Sequence, residues 1–393
     1  MNNWSVKTKK PANPIPNRVA FLGIKGLPSK AGADRVVEAL VRGIDKQLYT
    51  PVVYCSDRVI AKGTTIRGVE LVRIPTLPGK HLHATSLFLF AALHALFFGN
   101  YALVHVHNVE ACFVLPLLRL RYKTIATSHG AAQARDKWGK FAKFLIRLTE
   151  LPFIYVTNYV TCVSAPLTEF YRNTYGREVY FLPNGVDDHE AVDLAGAQEL
   201  LAVHGIQDGQ YILFAAGRVI PTKGAELLLA AFRELPGEYH LIVVGDTSQV
   251  PAYERELRGL ADERVHFIPF VADKAVLLGL VSQCQLFVFP STVEAMSMML
   301  LEAATMQAPI VASDIPENVS VLPEQALFFK SGNVADLREK LAWSLTHTEA
   351  MSILAKKAKQ HVTSNFQWNS IVKGYEELYN SLLDLEKKNL FQK

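Results

Sequence analysis

The chain has 393 residues, half of them hydrophobic and a fifth charged, with four cysteines and a formal net charge of +4. That length exceeds one ordinary core and implies two domains, and the composition excludes a disordered, collagen-like or disulfide-built protein. The small net charge hides an asymmetry. Residues 1–185 carry 24 Lys and Arg against 10 Asp and Glu, and residues 186–393 carry 17 against 27. The first half is therefore either a solvated basic face or the half that meets something anionic, such as a membrane surface, a phosphorylated lipid or nucleic acid. No aromatic-interleaved basic patch or reader motif supports nucleic acid.

Residues 1–16, with three prolines and Lys7, Lys9 and Lys10, read as a disordered N-terminal arm and not as a signal peptide. From Arg18, short apolar runs at 18–23, 52–55, 69–74, 103–107, 123–127 and 159–163 alternate with helical spacing, first over Ala33–Ile44. Such alternation predicts a parallel sheet covered on both faces, so residues 17–185 are expected to form a doubly wound α/β domain. Within it, Leu87–Phe98 (LFLFAALHALFF) falls short of the roughly 20 residues that span a bilayer. A buried helix is expected there, with shallow contact to a bilayer surface as the alternative. Cys55, Cys112, Cys162 and Cys284 lie singly in apolar contexts, which fits reduced core thiols in a cytoplasm.

At PNGVDD (183–188) the rhythm breaks into a hinge, and a loose polar segment is expected to about Gln210. The alternation then restarts with runs at 211–217, 240–246, 265–269 and 286–290, giving a second doubly wound domain over 186–365. Residues 366–393 hold an amphipathic helix, Phe366–Leu385, expected to pack back towards the first domain. Two facing Rossmann-like domains place the carboxyl ends of both sets of strands on one cleft.

Four stretches carry candidate chemistry. The loop 23–34 holds Gly23, Gly26 and Gly32, matches neither G-x-G-x-x-G nor a Walker loop, and is either a sugar-phosphate contact or a plain strand-to-helix loop. GRVIPTKG (217–224) sets Arg218 and Lys223 at a helix mouth, two cations that suit a diphosphate. His129 ends the apolar run KTIATSH and should project into the cleft, or else sit satisfied in the core. His105 and His107 share a strand face, followed by Asn108 and Glu110. A metal site is possible there by residue type, but no third clustered ligand is evident, and His107 and Asn108 are expected on the acceptor side. The last stretch, 287–309, places Glu294 in a turn before a helix and Glu302 among Leu and Ala inside it, where a carboxylate needs a reason. The basic run Arg135, Lys137, Lys140 and Lys143 is either a solvated helix face or a surface for an anionic lipid carrier.

G-R-x-x-x-x-K-G at 217–224, with E-x7-E from Glu294 to Glu302, resembles the donor site of retaining glycosyltransferases of family 4, which have the GT-B fold. PNGVD (183–187), VVGD (243–246), AGADRVVEAL (31–40) and FQWNSIVKGYEELY (366–379) are similar to further family segments in the same order. VHVHNVE (104–110) and 127–144 resemble a subgroup that builds bacterial surface polysaccharides and includes rhamnosyltransferases. The resemblance implies transfer of a hexose or deoxyhexose from a nucleotide diphosphate sugar to a glycan, expected to be linked to a polyprenyl diphosphate, at the cytoplasmic membrane face, with no metal or cofactor. It implies that Gly26, Gly32, Gly217, Arg218 and Lys223 face the donor, Arg218 and Lys223 at its diphosphate. It puts Glu302 on the ribose, Glu294 on the transferred sugar, the backbone at Met296, Ser297 and Met298 on phosphate and sugar, and His129 beside the reacting centre. Ala295 replaces the family's usual Gly, and Thr222 replaces a common Glu. An epimerase or phosphorylase of the same architecture, or a non-catalytic nucleotide-sugar binder, is the alternative.

Overall fold

The computed structural model describes residues 16–29, 32–79, 82–130, 140–187, 191–206, 209–237 and 239–390, with side chains at all of these except 140–147 and 385–390. The expected arm up to residue 15, the basic residues Arg135 and Lys137, and the side chains of Lys140 and Lys143 lie outside the described residues.

Among the described residues seven strands form the first sheet: β1 (Asn17–Leu22), β2 (Tyr49–Ser56), β3 (Glu70–Ile74), β4 (Leu103–His107), β5 (Lys123–Ser128), β6 (Tyr159–Cys162) and β7 (Val179–Phe181). All pair in parallel, in the order β3-β2-β1-β4-β5-β6-β7. Six more form the second: β8 (Tyr211–Arg218), β9 (His240–Asp246), β10 (Val265–Ile268), β11 (Leu286–Phe289), β12 (Ile310–Ser313) and β13 (Leu327–Phe329), again parallel, in the order β10-β9-β8-β11-β12-β13. The central strands β4 and β11 are buried at every position because helices cover both faces, which is why they read as unbroken apolar runs. Strand order reverses between β1 and β4 in the first sheet and between β8 and β11 in the second. Open α/β sheets bind ligands at the loops beyond such reversals.

The two sheets are tied together at 182–186 and 366–368. Val186 N–H donates to the Phe366 carbonyl (2.7 Å) and Trp368 N–H donates to the Val186 carbonyl (3.2 Å). The last helix, Trp368–Leu390, then lies on the first sheet. Its Trp368, Ile371, Val372, Tyr375, Tyr379 and Leu382 share a core with Val19, Phe21, Leu40 and Val41.

Three expectations need correction. The supposed loose segment after the hinge contains a helix, Leu194–Ala202, capped by Asp193, whose carboxylate accepts from Gly196 N–H (3.0 Å) while Ala197 and Leu201 enter the second core. The apolar helix, Leu82–Phe98, is only half-buried: Leu87, Ala91, Ala92 and Ala95 face the core, and Leu82, Leu89, Phe90, Phe97 and Phe98 are exposed. Strands β7, β12 and β13 went unpredicted, each being only three or four residues long. Among the described residues all four cysteines are buried and free, and no helix is long and apolar enough to cross a membrane.

Candidate functional site

The loops at the two reversals face each other. At the end of β8, Gly217 and Arg218 are exposed, and beyond it a short turn, Pro221–Lys223, ends at Gly224, which begins the helix Ala225–Arg233. Gly224 sits at φ +69°, and a Cβ there would come within 2.2 Å of the Pro290 carbonyl oxygen, so only glycine lets the two loops touch. Thr292 N–H donates to the Thr222 carbonyl at 2.9 Å and locks the loop beyond β11 onto the one beyond β8. In consequence Lys223 Nζ meets Glu294 Oε1 at 2.6 Å, with Lys223 a quarter exposed and Glu294 less so. Glu317, at the start of the next short helix, joins them. Burial, with the Glu294 charge adding to it, raises its carboxyl above the ordinary value.

The helix Met298–Thr305 starts beside this pair, capped by Ser297, whose hydroxyl accepts from Leu300 N–H (3.4 Å). The hinge holds the turn in place: Asn184 Nδ2 donates to the Met296 carbonyl at 2.8 Å. Inside the helix Glu302 is only 2 % exposed. Its Oε1 is bound by Arg35, from the first domain's opening helix Gly32–Gly43, and lies 3.1 Å from Lys274 Nζ. Its Oε2 is buried with no hydrogen-bond partner. A buried carboxylate oxygen left open beside two bound cations is a vacant acceptor for a hydroxyl or N–H donor.

From the first sheet, β5 delivers His129 and Gly130. A methyl group at Gly130 would sit 3.6 Å from Cβ of Ala295, which places this loop against the Glu294–Met296 turn across the cleft. His129 Nε2 lies 2.9 Å from His107 Nδ1. Burial drops the pKa of His129 to about 4, so its ring is neutral at physiological pH.

The structure thus brings Lys223, Glu294, Glu302, Ser297 and His129 to one cleft. Arg218 stands at its exposed rim. Gly32 opens the first helix and is exposed, whereas Gly26 is buried against Cys55, Val59 and Ile60. His107, expected on the acceptor side, is wholly buried and supports His129 instead. Asn108, at φ +68°, donates from its side chain to the Gly23 carbonyl (2.8 Å) and so braces the loop beyond β1. The possible metal site at His105 and His107 fails on ligand count: among the described residues no group of three His, Cys, Asp or Glu is placed to hold a metal ion. Sequence reasoning gave no role to Arg35, Lys274 or Glu317. Arg35 lay within a recognised segment, but nothing local to any of the three signals contact with a loop up to 267 residues away.

Two buried histidines and the partly exposed His129 give the fold a pH signature. His105 and His107 are pushed well below the ordinary imidazole value by burial, like His129. The unfolded chain then binds more protons than the native one between about pH 4 and 6.5, so stability is lost as pH falls through that window. All three act in the same direction: at pH 5 the unfolded imidazoles are protonated and the native ones are not, which draws the equilibrium away from the native state. Buried Asp34, raised to about 6, acts in the opposite sense with about 1 kcal/mol. The urea midpoint is expected to fall from pH 7.5 to pH 5; an unchanged midpoint would contradict three neutral rings.

Residues 31–190 match the family model for Glycosyltransferase Family 4, and residues 197–361 match that for Glycosyl transferases group 1. The chain is 24% identical over 350 residues to the 2-deoxystreptamine N-acetyl-D-glucosaminyltransferase of Niallia circulans, covering 80% of this chain and 87% of that one. It is 26% identical over 178 residues to the N,N'-diacetylbacillosaminyl-diphospho-undecaprenol alpha-1,3-N-acetylgalactosaminyltransferase of Campylobacter jejuni, covering 45% and 46%. Among solved structures, Anabaena HepE in complex with UDP-glucose superposes with a TM-score of 0.76 at 16% identity, over 93% of this chain and 100% of that one.

Proposed function

Since this chain belongs to the family 4 glycosyltransferases, with two Rossmann-like domains in the GT-B arrangement, we propose that it moves a hexose or deoxyhexose from a nucleotide diphosphate sugar to a glycan hydroxyl with retention at the anomeric carbon. The open Oε2 of Glu302 carries the reading, because a ribose hydroxyl is a donor that a buried carboxylate oxygen lining the cleft would accept. Arg218, Lys223 and the N–H groups near Met296, Ser297 and Met298 then receive the diphosphate, with the exposed Gly217 and Gly32 flanking it. Glu294 takes hydroxyls of the sugar, and Ala295 narrows the space beside it.

In this scheme the bond from the anomeric carbon to the diphosphate breaks with its electron pair passing to phosphate oxygen, where Lys223 and Arg218 stabilise the charge. The acceptor hydroxyl attacks from the same face and gives its proton to the departing phosphate. Neutral His129 donates a hydrogen bond at the sugar. The positive field comes from side chains and a helix start, so the scheme invokes neither metal nor cofactor.

The acceptor we propose is a polyprenyl-diphosphate-linked glycan at the inner face of the plasma membrane. The undecaprenyl-diphosphate acceptor of the Campylobacter relative supports that class. So does the basic first half, which exposes Phe97, Phe98 and Leu120 beside Arg121. A panel of nucleotide sugars, with lipid-linked and soluble acceptors presented in anionic or neutral vesicles, tests all of this. The expected product keeps the donor's anomeric configuration and forms best on anionic vesicles. An inverted product would refute retention, and preference for soluble acceptors with no vesicle binding would refute the lipid-linked reading. Release of sugar 1-phosphate on adding phosphate would mark a phosphorylase instead, and tight donor binding without turnover a non-catalytic binder.

A further inference from the structure

His105, His107 and His129 form a row at the carboxyl ends of β4 and β5. Its protons can be placed by following the hydrogen bonds from the far end. The Thr161 hydroxyl donates to the Ala126 carbonyl (3.2 Å), so it accepts from the Thr127 hydroxyl (2.5 Å). Thr127 in turn accepts from His105 Nε2–H (2.6 Å), and the remaining nitrogen, Nδ1, accepts from the Tyr379 hydroxyl (2.8 Å). Both nitrogens of His105 are used. His107 therefore only stacks on it, with ring centroids 4.0 Å apart, and has His129 as its one hydrogen-bond partner among the described residues.

The other nitrogen of His107, Nε2, is fully buried with no partner. That atom decides the direction of the bond to His129. If His129 were the donor, the His107 proton would have to sit on Nε2 as a buried N–H with nothing to accept it, the kind of orphan that native structures rarely keep. With a lone pair on Nε2, His107 donates from Nδ1–H to His129 Nε2, and the proton of His129 is left on Nδ1. His129 is partly exposed, and its Nδ1 has no partner among the described residues.

We propose that His107 is a positioning residue for the transfer reaction: by donating from Nδ1 it fixes His129 as the Nδ1–H tautomer, so the ring offers the sugar a hydrogen-bond donor and not a lone pair. The functional half of this inference rests on the placement of His129 at the donor sugar; the tautomer does not. Tyr379 belongs to the last helix, Trp368–Leu390, so the same row connects that helix to the cleft through the His105 stack.

Two variants separate the role from mere packing. His107→Phe keeps a stacked ring and removes the donor, and His107→Asn keeps an N–H close to the Nδ1 position. The Phe variant is expected to lose about tenfold or more in kcat with donor KM nearly unchanged, and the Asn variant to recover most of it. Long-range proton–nitrogen correlation spectra of the unliganded full-length protein should show His129 protonated at Nδ1 in wild type and in the Asn variant, and shifted towards Nε2–H in the Phe variant. A wild-type His129 protonated at Nε2, or equal kcat in the two variants, would overturn the proposal. Should the Phe variant fail to fold, the wild-type spectrum and the Asn variant still decide. A His129→Ala enzyme with wild-type kcat, alongside an Nδ1–H wild-type spectrum, would refute the placement at the sugar and not the tautomer.

Discussion

Lys223→Ala is expected to lower kcat/KM by about 10²–10³, the usual loss when one preorganised donor to a developing negative charge is removed, equivalent to about 3–4 kcal/mol. The lysine is already in place before any ligand arrives: Glu294 holds Nζ at 2.6 Å, and the Thr222–Thr292 backbone bond fixes both loops. In the proposed scheme no reorganisation is then needed as charge builds on the diphosphate. Alanine does a second harm, because it leaves Glu294, only 9 % exposed, without its counter-charge and facing an anionic ligand. Part of the loss should therefore appear in donor binding and part in kcat. Lys223→Arg restores charge but not the compact geometry and should recover only a fraction. Stability should change little, because the pair lies at the cleft and not in a core. Steady-state rates over a donor concentration series make the measurement, and near wild-type turnover at saturating donor would remove Lys223 from the reaction.

The two-sheet architecture was legible because parallel strands buried on both faces must be apolar throughout, and runs such as LVHVH at 103–107 and LFVF at 286–289 can hardly be anything else. Where the signal is short it failed: β7 and β13 have three residues each, too few for a pattern. The helix Leu194–Ala202 was missed because its first turn, Leu-Ala-Gly-Ala, follows a polar stretch and carries a glycine; the Asp193 cap and contact with the second core stabilise it. Lys223, Glu294 and Glu302 were singled out by residue type, and the resemblance to family 4 supplied the roles proposed for them. Arg35 and Lys274 were not, since it is the approach of two domains, and no local pattern, that brings them to one carboxylate. His107 was placed on the right strand and given the wrong exposure, because alternation tells which residues share a face but not that the rings of Phe21, His105 and His129 enclose it.

That dependence on tertiary approach makes Glu302 the sharper test of the donor site. Its two oxygens are not equivalent: Oε1 is held by Arg35 and Lys274, and Oε2 is buried and open. Glu302→Gln keeps the shape but must turn an NH2 towards either the two cations or the vacant position. The cations repel it from the first, so the amide should present NH2 where the ribose hydroxyls donate, and charge-assisted hydrogen bonds worth about 1.5–3 kcal/mol are lost. Donor Kd is expected to rise about 10- to 100-fold, with a smaller change in kcat. Stability should fall only modestly, because Arg35 and Lys274 remain 31 % and 42 % exposed and can return to water. Calorimetric titration with a nucleoside diphosphate and its 2′,3′-dideoxy analogue isolates the contact. Wild type should favour the ribose form strongly and the Gln variant hardly at all; an undiminished preference in the variant would place the ribose elsewhere. Arg35→Ala provides the counterpart, since it frees Oε1 without removing the acceptor. Its donor Kd should stay near wild type or tighten, and a loss as large as that of Glu302→Gln would mean that the arginine, and not the carboxylate, binds the nucleotide.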